Sequence, residues 1–203
     1  MKVRIQTTSE MLGTNPGDPD IYQAFIATKA RLPEDIERAK EQAEALPASE
    51  LEEKGTTVFL RKNGLPAIPA YHVKGLVKEF IGSMLDLGLF DWKHPKVKIT
   101  RWTYKRIVDK GIYVSPDLLQ LHMPEGASIG HCVRPLRAQT LRGERICLAC
   151  SESVPAGTWL ECDIECRVPE LEKVVVDALT EGRVTGLGQW RGGGKGTFTF
   201  ERQ

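Results

Sequence analysis

Gly186-Leu-Gly-Gln-Trp-Arg-Gly-Gly-Gly-Lys-Gly-Thr-Phe198 is the stretch that decides how this chain is read. Six glycines, one arginine, one lysine and one tryptophan fall within thirteen residues. Each glycine gives up more backbone entropy on folding than a larger residue would. The return is a backbone that turns sharply, approaches another molecule closely and presents N–H groups and cations to something negative. A nucleotide-binding loop competes for this reading. The Walker pattern requires Lys followed by Ser or Thr and then a helix. Here Lys195 is followed by Gly196 and a strand-like run. The dinucleotide fingerprint likewise requires a helix after its glycines. Both are excluded, which leaves a glycine loop placed before a final strand at 195–201.

Working outward, residues 169–181 read as a helix opened by Pro169 and ended by Gly182. Residues 157–168 read as a long strand in which Cys162, Ile164 and Cys166 share a face. At the other end of the chain, Val3, Ile5 and Thr7 alternate with Lys2, Arg4 and Gln6, which predicts a half-buried first strand. Gly13 to Pro19 is a loop, and 21–30 a short helix or an extended flap. Residues 33–46 are helix-like, and 34–54 carry eight acidic residues against three basic ones. That charge run reads as a solvated helix inserted at about 31–54, with a docking surface for a basic partner as the competing reading. Residues 57–61 form a short strand before an Asn63-Gly64 turn. Val73, Leu76, Val77, Phe80, Ile81, Met84 and Leu85 repeat at helical spacing, predicting an amphipathic helix over 73–87. The middle of the chain offers strand-like pieces at 97–102, 112–114, 118–122, 133–136 and 145–148. The outer order of strand, helix, strands, helix, strand predicts an α+β, ferredoxin-like or RRM-like antiparallel sheet with helices on one face. Such a sheet and its loops are often presented to RNA.

Composition narrows the partners. Lys and Arg total 28 against 27 Asp and Glu, a net charge of +1. Contact with nucleic acid must therefore come from local patches and not from a globally basic surface. No run is long enough to span a bilayer, and the first six residues contain no apolar signal region, so a soluble cytoplasmic protein with no membrane contact is expected. Five cysteines are an odd number and argue against a closed disulfide framework.

A second constellation lies at Ile68-Pro-Ala-Tyr-His-Val-Lys-Gly-Leu-Val-Lys78. Lys74 and Lys78 share one flank near a helix start, and Gly75 allows close backbone approach. Lysines at a helix start suit phosphate, because free N–H groups and ammonium groups point the same way. A capped helix with solvated lysines is the bland alternative. Together with the glycine loop, this segment resembles the CRISPR-associated repeat-associated (RAMP) RNA-binding superfamily, and within it the guide-RNA backbone-subunit branch. Members carry Ile-Pro-x-Ser-x-x-Lys-Gly-x-x-Arg at the first core helix and Gly-x-Gly-x-x-Arg-x-x-Gly-x-Gly-x-Phe before the last strand. Ile68, Pro69, Lys74, Gly75 and Lys78 match the first; Gly186, Gly188, Arg191, Gly194, Gly196 and Phe198 match the second. Tyr71 and His72 depart from the family's small hydroxyl residues, and Lys78 replaces its arginine. The likeness touches about half of the chain and implies a single domain over 1–203 with a variable middle insertion at about 90–150.

The resemblance implies an RNA-binding subunit of an antiviral ribonucleoprotein that holds guide RNA by its phosphates without sequence specificity. It implies other complex subunits as partners, possible self-assembly, and contacts from Lys74, Gly75, Lys78, Gly188, Trp190, Arg191 and Lys195. A basic patch of Arg101, Lys105, Arg106 and Lys110 around Trp102 and Tyr104 extends the set, with Arg134, Arg137, Arg142 and Arg145 following. Two further readings stand beside this one. The first is a metal-independent endoribonuclease that processes guide RNA, for which His72, Asp18 and Asp20 are the catalytic candidates. The second is an accessory or interfering protein that binds complex subunits. No cofactor is expected. Cys147 and Cys150 have knuckle spacing, so His131, Cys132, Cys147 and Cys150 are the candidates for a zinc site, but one CxxC with strand-like flanks argues against it.

Overall fold

The computed structural model describes residues 1–17, 56–95, 97–140 and 143–203, with the backbone alone over 136–140 and 143–148. The predicted acidic helix at 31–54 and the segment at 21–30 lie outside the described residues. The first strand, β1 (Lys2–Thr7), buries Val3, Ile5 and Thr7 and exposes the alternate residues, as its period of two requires. Two short strands follow, β2 (Met11–Leu12) and β3 (Asn15–Pro16). β4 (Thr57–Val58), β5 (Leu60–Lys62) and β6 (Leu65–Pro69) come next. Asn63 and Gly64, both at positive φ, close the β5–β6 hairpin.

Helix α1 (Tyr71–Asp86) begins two residues earlier than its apolar period suggests. Helix α2 (Tyr104–Gly111) is followed by β7 (Ile112–Ser115) and β8 (Leu118–Gln120). A long hairpin, β9 (Gly130–Thr140) and β10 (Gly143–Val154), leads into β11 (Trp159–Cys166). Helix α3 (Leu171–Thr185) and β12 (Phe198–Arg202) complete the chain.

β1 is central to a sheet ordered β12-β1-β11-β7, antiparallel throughout. Val3, Ile5, Leu160, Cys162, Ile164, Ile112 and Phe198 face inward and meet Val73, Val77 and Ile81 of α1 and Val174, Val175, Ala178 and Leu179 of α3 in one core. Fully burying one such side chain contributes about 1.5–3 kcal/mol, which is what sets the register of each strand. Burial pushes the Cys162 thiol up to about 12, so it acts as a small hydrophobe. A second sheet, ordered β2-β10-β4-β3 with β9 on β10, and a third, β5-β6-β8, extend the body. No described helix is long and apolar enough to cross a membrane.

Two local expectations change. The strand expected at 97–102 does not form; the chain there is irregular and leads into α2, with Trp102 93% exposed. Thr103 explains the switch. Its hydroxyl accepts from the Thr100 N–H at 2.9 Å and donates to the Lys98 carbonyl at 3.0 Å, a side-chain alternative to strand pairing. Gly182 does not end α3; it lies inside the helix, where a Cβ would come within 2.6 Å of Leu76 of α1. It is there for close helix packing, and Gly186 at φ +80° is the true terminator. Within the range 90–150, β7 pairs with β11 as the edge strand of the β1 sheet.

Candidate nucleic-acid interface

The glycine loop is built by close backbone approach. After α3 the chain doubles back on itself: Leu187 N–H donates to the Gly196 carbonyl at 2.8 Å. At Gly196, φ is +72° and a Cβ would sit 1.7 Å from the Leu187 carbonyl oxygen, so only glycine fits. A 3-10 turn at Arg191–Gly193 lies between, entered through Trp190 at φ +53° and left through Gly194 at φ +76°. The Trp190 ring rests on Gly193, where a Cβ would come within 2.7 Å of it. The segment after β1 forms the floor. Gly196 N–H donates to the Glu10 carbonyl at 2.8 Å, Thr8 N–H to the Thr197 carbonyl at 2.7 Å, and Thr197 N–H to Ser9 Oγ at 3.0 Å.

Those bonds narrow one expectation. The N–H groups of Gly186, Leu187, Gly193, Gly194, Gly196 and Thr197 all donate within the chain, so these six are not among the backbone donors the loop could offer an anion.

Loop and helix form opposite walls of one groove of about 270 Å³. Tyr71, His72, Gly75 and Glu79 line it from α1, and Leu187, Gly188 and Arg191 from the loop. Arg191 at its mouth is ion-paired with Glu79, which stands 112 residues away in sequence. Lys195 pairs with Glu10 at 2.5 Å. That shared hydrogen bond holds the Glu10 carboxyl below its ordinary range and raises Lys195. His72 Nε2 lies 3.2 Å from Thr14 Oγ1, and its ring stacks on Tyr71.

The two lysines of α1 turn elsewhere. Lys78 pairs with Asp109 of α2 at 2.5 Å, and Lys74 lies 5.4 Å from the Tyr113 ring of β7. They occupy the flank beside the groove wall and not the wall itself. The basic patch forms a third region. Tyr104 packs on Gly82, Lys105 lies 5.8 Å from the Tyr104 ring, and Arg101 pairs with Asp86; Trp102, Lys105 and Arg106 are exposed.

Beneath Trp190 lies a group that sequence reading placed only in a loose basic list. Arg134 of β9 is 6% exposed, and its guanidinium is 5.5 Å from the indole centroid. It donates to Gln189 Oε1 at 2.8 Å and to Ser151 Oγ at 3.0 Å. Glu10, Glu79 and Gln189 were likewise missed. Of these only Glu79 carried a signal, four residues after Gly75 on the same helix flank.

The remaining candidates do not converge. Asp18 and Asp20 lie outside the described residues. In the β9–β10 register His131 faces Glu152 and Val133 faces Cys150, while Cys132 faces Ser151. His131 and Cys150 therefore share one face of the hairpin and Cys132 takes the other. The side chain of Cys147 lies outside the described residues. Among the described residues no group of three or more metal-binding side chains assembles.

No protein-family model matches the sequence, and no curated protein matches it. Solved structures do. A chain of the type III-B Cmr-beta complex bound to cognate target RNA superposes with a TM-score of 0.55 at 12% identity, over 99% of this chain and 58% of that one. This is a likeness of fold. The chain thus spans little more than half the length of that neighbour. Cmr6 from Pyrococcus furiosus gives 0.47 at 12% identity, over 100% of this chain and 97% of that one. A chain of a type IV-B CRISPR complex gives 0.43 at 13% identity, over 98% and 88%.

Proposed function

We propose that the chain is an RNA-binding subunit of a CRISPR-type ribonucleoprotein, gripping RNA phosphates without reading sequence. The observation that carries this reading is the convergence of residues 68–78 and 186–198 on one groove with Arg191 at its mouth. Arg191 and Lys195 are the primary phosphate contacts, exchanging Glu79 and Glu10 for RNA oxygens. Trp190 is a stacking platform for a base. Gly75 and Gly188 let the RNA backbone approach both walls. Lys74, Lys78, Arg101, Lys105 and Arg106 add a weaker electrostatic flank.

Three things support the reading: the likeness of fold to a chain from an RNA-bound complex, the RAMP-like spacing of both motifs, and the sheet order. With α1 leading toward β7 and α3 joining β11 to β12, the order β12-β1-β11-β7 reads as the ferredoxin-like β-α-β-β-α-β arrangement of that superfamily. The partners are then guide RNA and neighbouring subunits, and sequence specificity comes from base pairing by the RNA.

The test is a titration of labelled single-stranded RNA at two salt concentrations. Wild type binds with affinity that falls with salt, and the Arg191→Ala/Lys195→Ala variant loses both affinity and part of the salt slope. Absence of binding overturns the reading; tight binding to complex subunits in its place supports the accessory role. His72 lines the groove within reach of Thr14, so metal-free cleavage of a hairpin RNA lost in His72→Ala supports the endoribonuclease.

A further inference from the structure

Among the described residues, the cations nearest the glycine loop pair with carboxylates, and the buried Arg134 does not. Arg191 has Glu79, Lys195 has Glu10, and Arg61 has Glu152. Glu152 shows how the same strand treats a buried charge: its carboxylate takes both Arg61 and the Phe59 N–H. Its neighbour Ser151, on the opposite face of β10, belongs with Arg134. Arg134 is 94% buried by its 6% exposure, has no described carboxylate within ion-pair distance, and its Nε has no hydrogen-bond partner. A buried unneutralised charge is costly and is kept only where something compensates it.

What faces it are two neutral oxygens, Gln189 Oε1 and Ser151 Oγ. Gln189 Oε1 accepts from Arg134 Nη2 at 2.8 Å, with the Thr57 hydroxyl at 3.3 Å and the Ser151 hydroxyl at 3.5 Å. Ser151 and Thr57 are held there by the β10–β4 pairing and share a 2.7 Å hydrogen bond. The 2.7 Å bond uses one of the two hydroxyl protons, so Arg134 of β9 and one hydroxyl of the Ser151–Thr57 pair donate to a point where an oxyanion would be bound more strongly than an amide. Gln189 sits between two positive-φ residues, Gly188 and Trp190, and its own N–H reaches the Leu12 carbonyl only at 3.5 Å.

We propose that Arg134, Ser151 and Thr57 form a phosphate subsite that the Gln189 amide occupies from within the chain. Rotation of Gln189 outward admits a phosphate oxygen beneath Trp190, and the loop then grips at a buried cation as well as at its surface pairs. The choice of an RNA phosphodiester as ligand rests on the reading above; the subsite itself requires only a phosphate group.

Thermal unfolding and binding of wild type, Gln189→Glu and Gln189→Ala test it, with Arg134→Met as the background that removes the cation. Gln189→Glu supplies a permanent carboxylate to Arg134. It is expected to raise Tm by about 2–4 °C and to weaken single-stranded RNA binding several-fold. Gln189→Ala vacates the subsite; its Tm rises with inorganic phosphate but not with chloride at equal ionic strength, and it binds RNA several-fold tighter than wild type. In Arg134→Met these gains disappear. Should that background fail to fold, the Gln189 variants alone decide. A lowered Tm in Gln189→Glu together with no phosphate effect in Gln189→Ala overturns the subsite, whatever wild type does with RNA. The phosphate effect without RNA binding by wild type leaves the subsite standing and removes the RNA reading.

Discussion

The glycine loop and the α2 flank contain the same kinds of residue and treat them differently. Each has a tryptophan beside arginine and lysine. In the loop, Trp190 is forced into a left-handed backbone, rests on Gly193 and lies over the buried Arg134. On the flank, Trp102 is 93% exposed, and Lys105 and Arg106 stand on the outer side of a two-turn helix. Loop geometry comes from backbone contacts that admit only glycine, so its cations are positioned in advance. Flank geometry comes from helical period, so its cations are only displayed. Pre-positioned charges lose less side-chain entropy on binding, so under the proposed function the loop is expected to be the stronger half of the grip.

The largest expected effect breaks the loop itself. Gly196→Ala places a Cβ against the Leu187 carbonyl and is expected to cost more than about 4 kcal/mol, read by urea or thermal unfolding. Gly192→Ala, with nothing within 4 Å of the new Cβ, is expected to stay within about 0.5 kcal/mol of wild type. Equal effects would remove the claim that the loop's geometry rests on a close backbone contact at Gly196.

Arg191→Ala is expected to weaken RNA binding about tenfold and to lower the salt slope by about one. Lys105→Ala and Arg106→Ala lower it by less, because their charges are displayed and not held. Glu79→Gln releases Arg191 and is expected to tighten RNA binding by about threefold with little change in stability, since partly exposed ion pairs contribute about 0–1 kcal/mol.

The smallest effect is a pH dependence. The contact with Lys195 holds the Glu10 carboxyl below its ordinary range. Its contribution is therefore full above the ordinary carboxylate value and is lost as pH falls through the depressed one. Lys195 is raised, so its share persists below its ordinary value and is lost only as pH rises through the raised one. Glu10→Gln is expected to lower Tm slightly near neutrality and to flatten the acid limb of the stability profile, checked by unfolding scans from neutral to acid pH.

Much of the framework was legible from the chain. The alternation of Val3, Ile5 and Thr7, the helical spacing from Val73 to Ile81 and the alternation of Cys162, Ile164 and Cys166 each recur in the structure as buried faces. α2 was also legible and was missed. Tyr104, Ile107, Val108 and Gly111 fall at helical spacing, but alternation over 97–102 masked them. Gly182 and Gly186 could not be told apart, because a packing glycine and a capping glycine look alike until the facing helix is known. In the site, the residue types of both walls were visible at 68–78 and 186–198. Their partners were not, because Glu10, Glu79 and Arg134 reach the loop from distant parts of the sequence.

By itself the sequence determined the periodic elements and the presence of a glycine loop before a last strand, because period and backbone freedom are local properties. The tertiary structure decided which charges remain available. It used six of the loop's N–H groups within the chain, turned Lys74 and Lys78 toward β7 and α2, paired Arg191 and Lys195, and left the buried Arg134 facing neutral oxygens. Neutralisation depends on distances of a few ångströms between side chains far apart in the chain, and only the fold sets those distances.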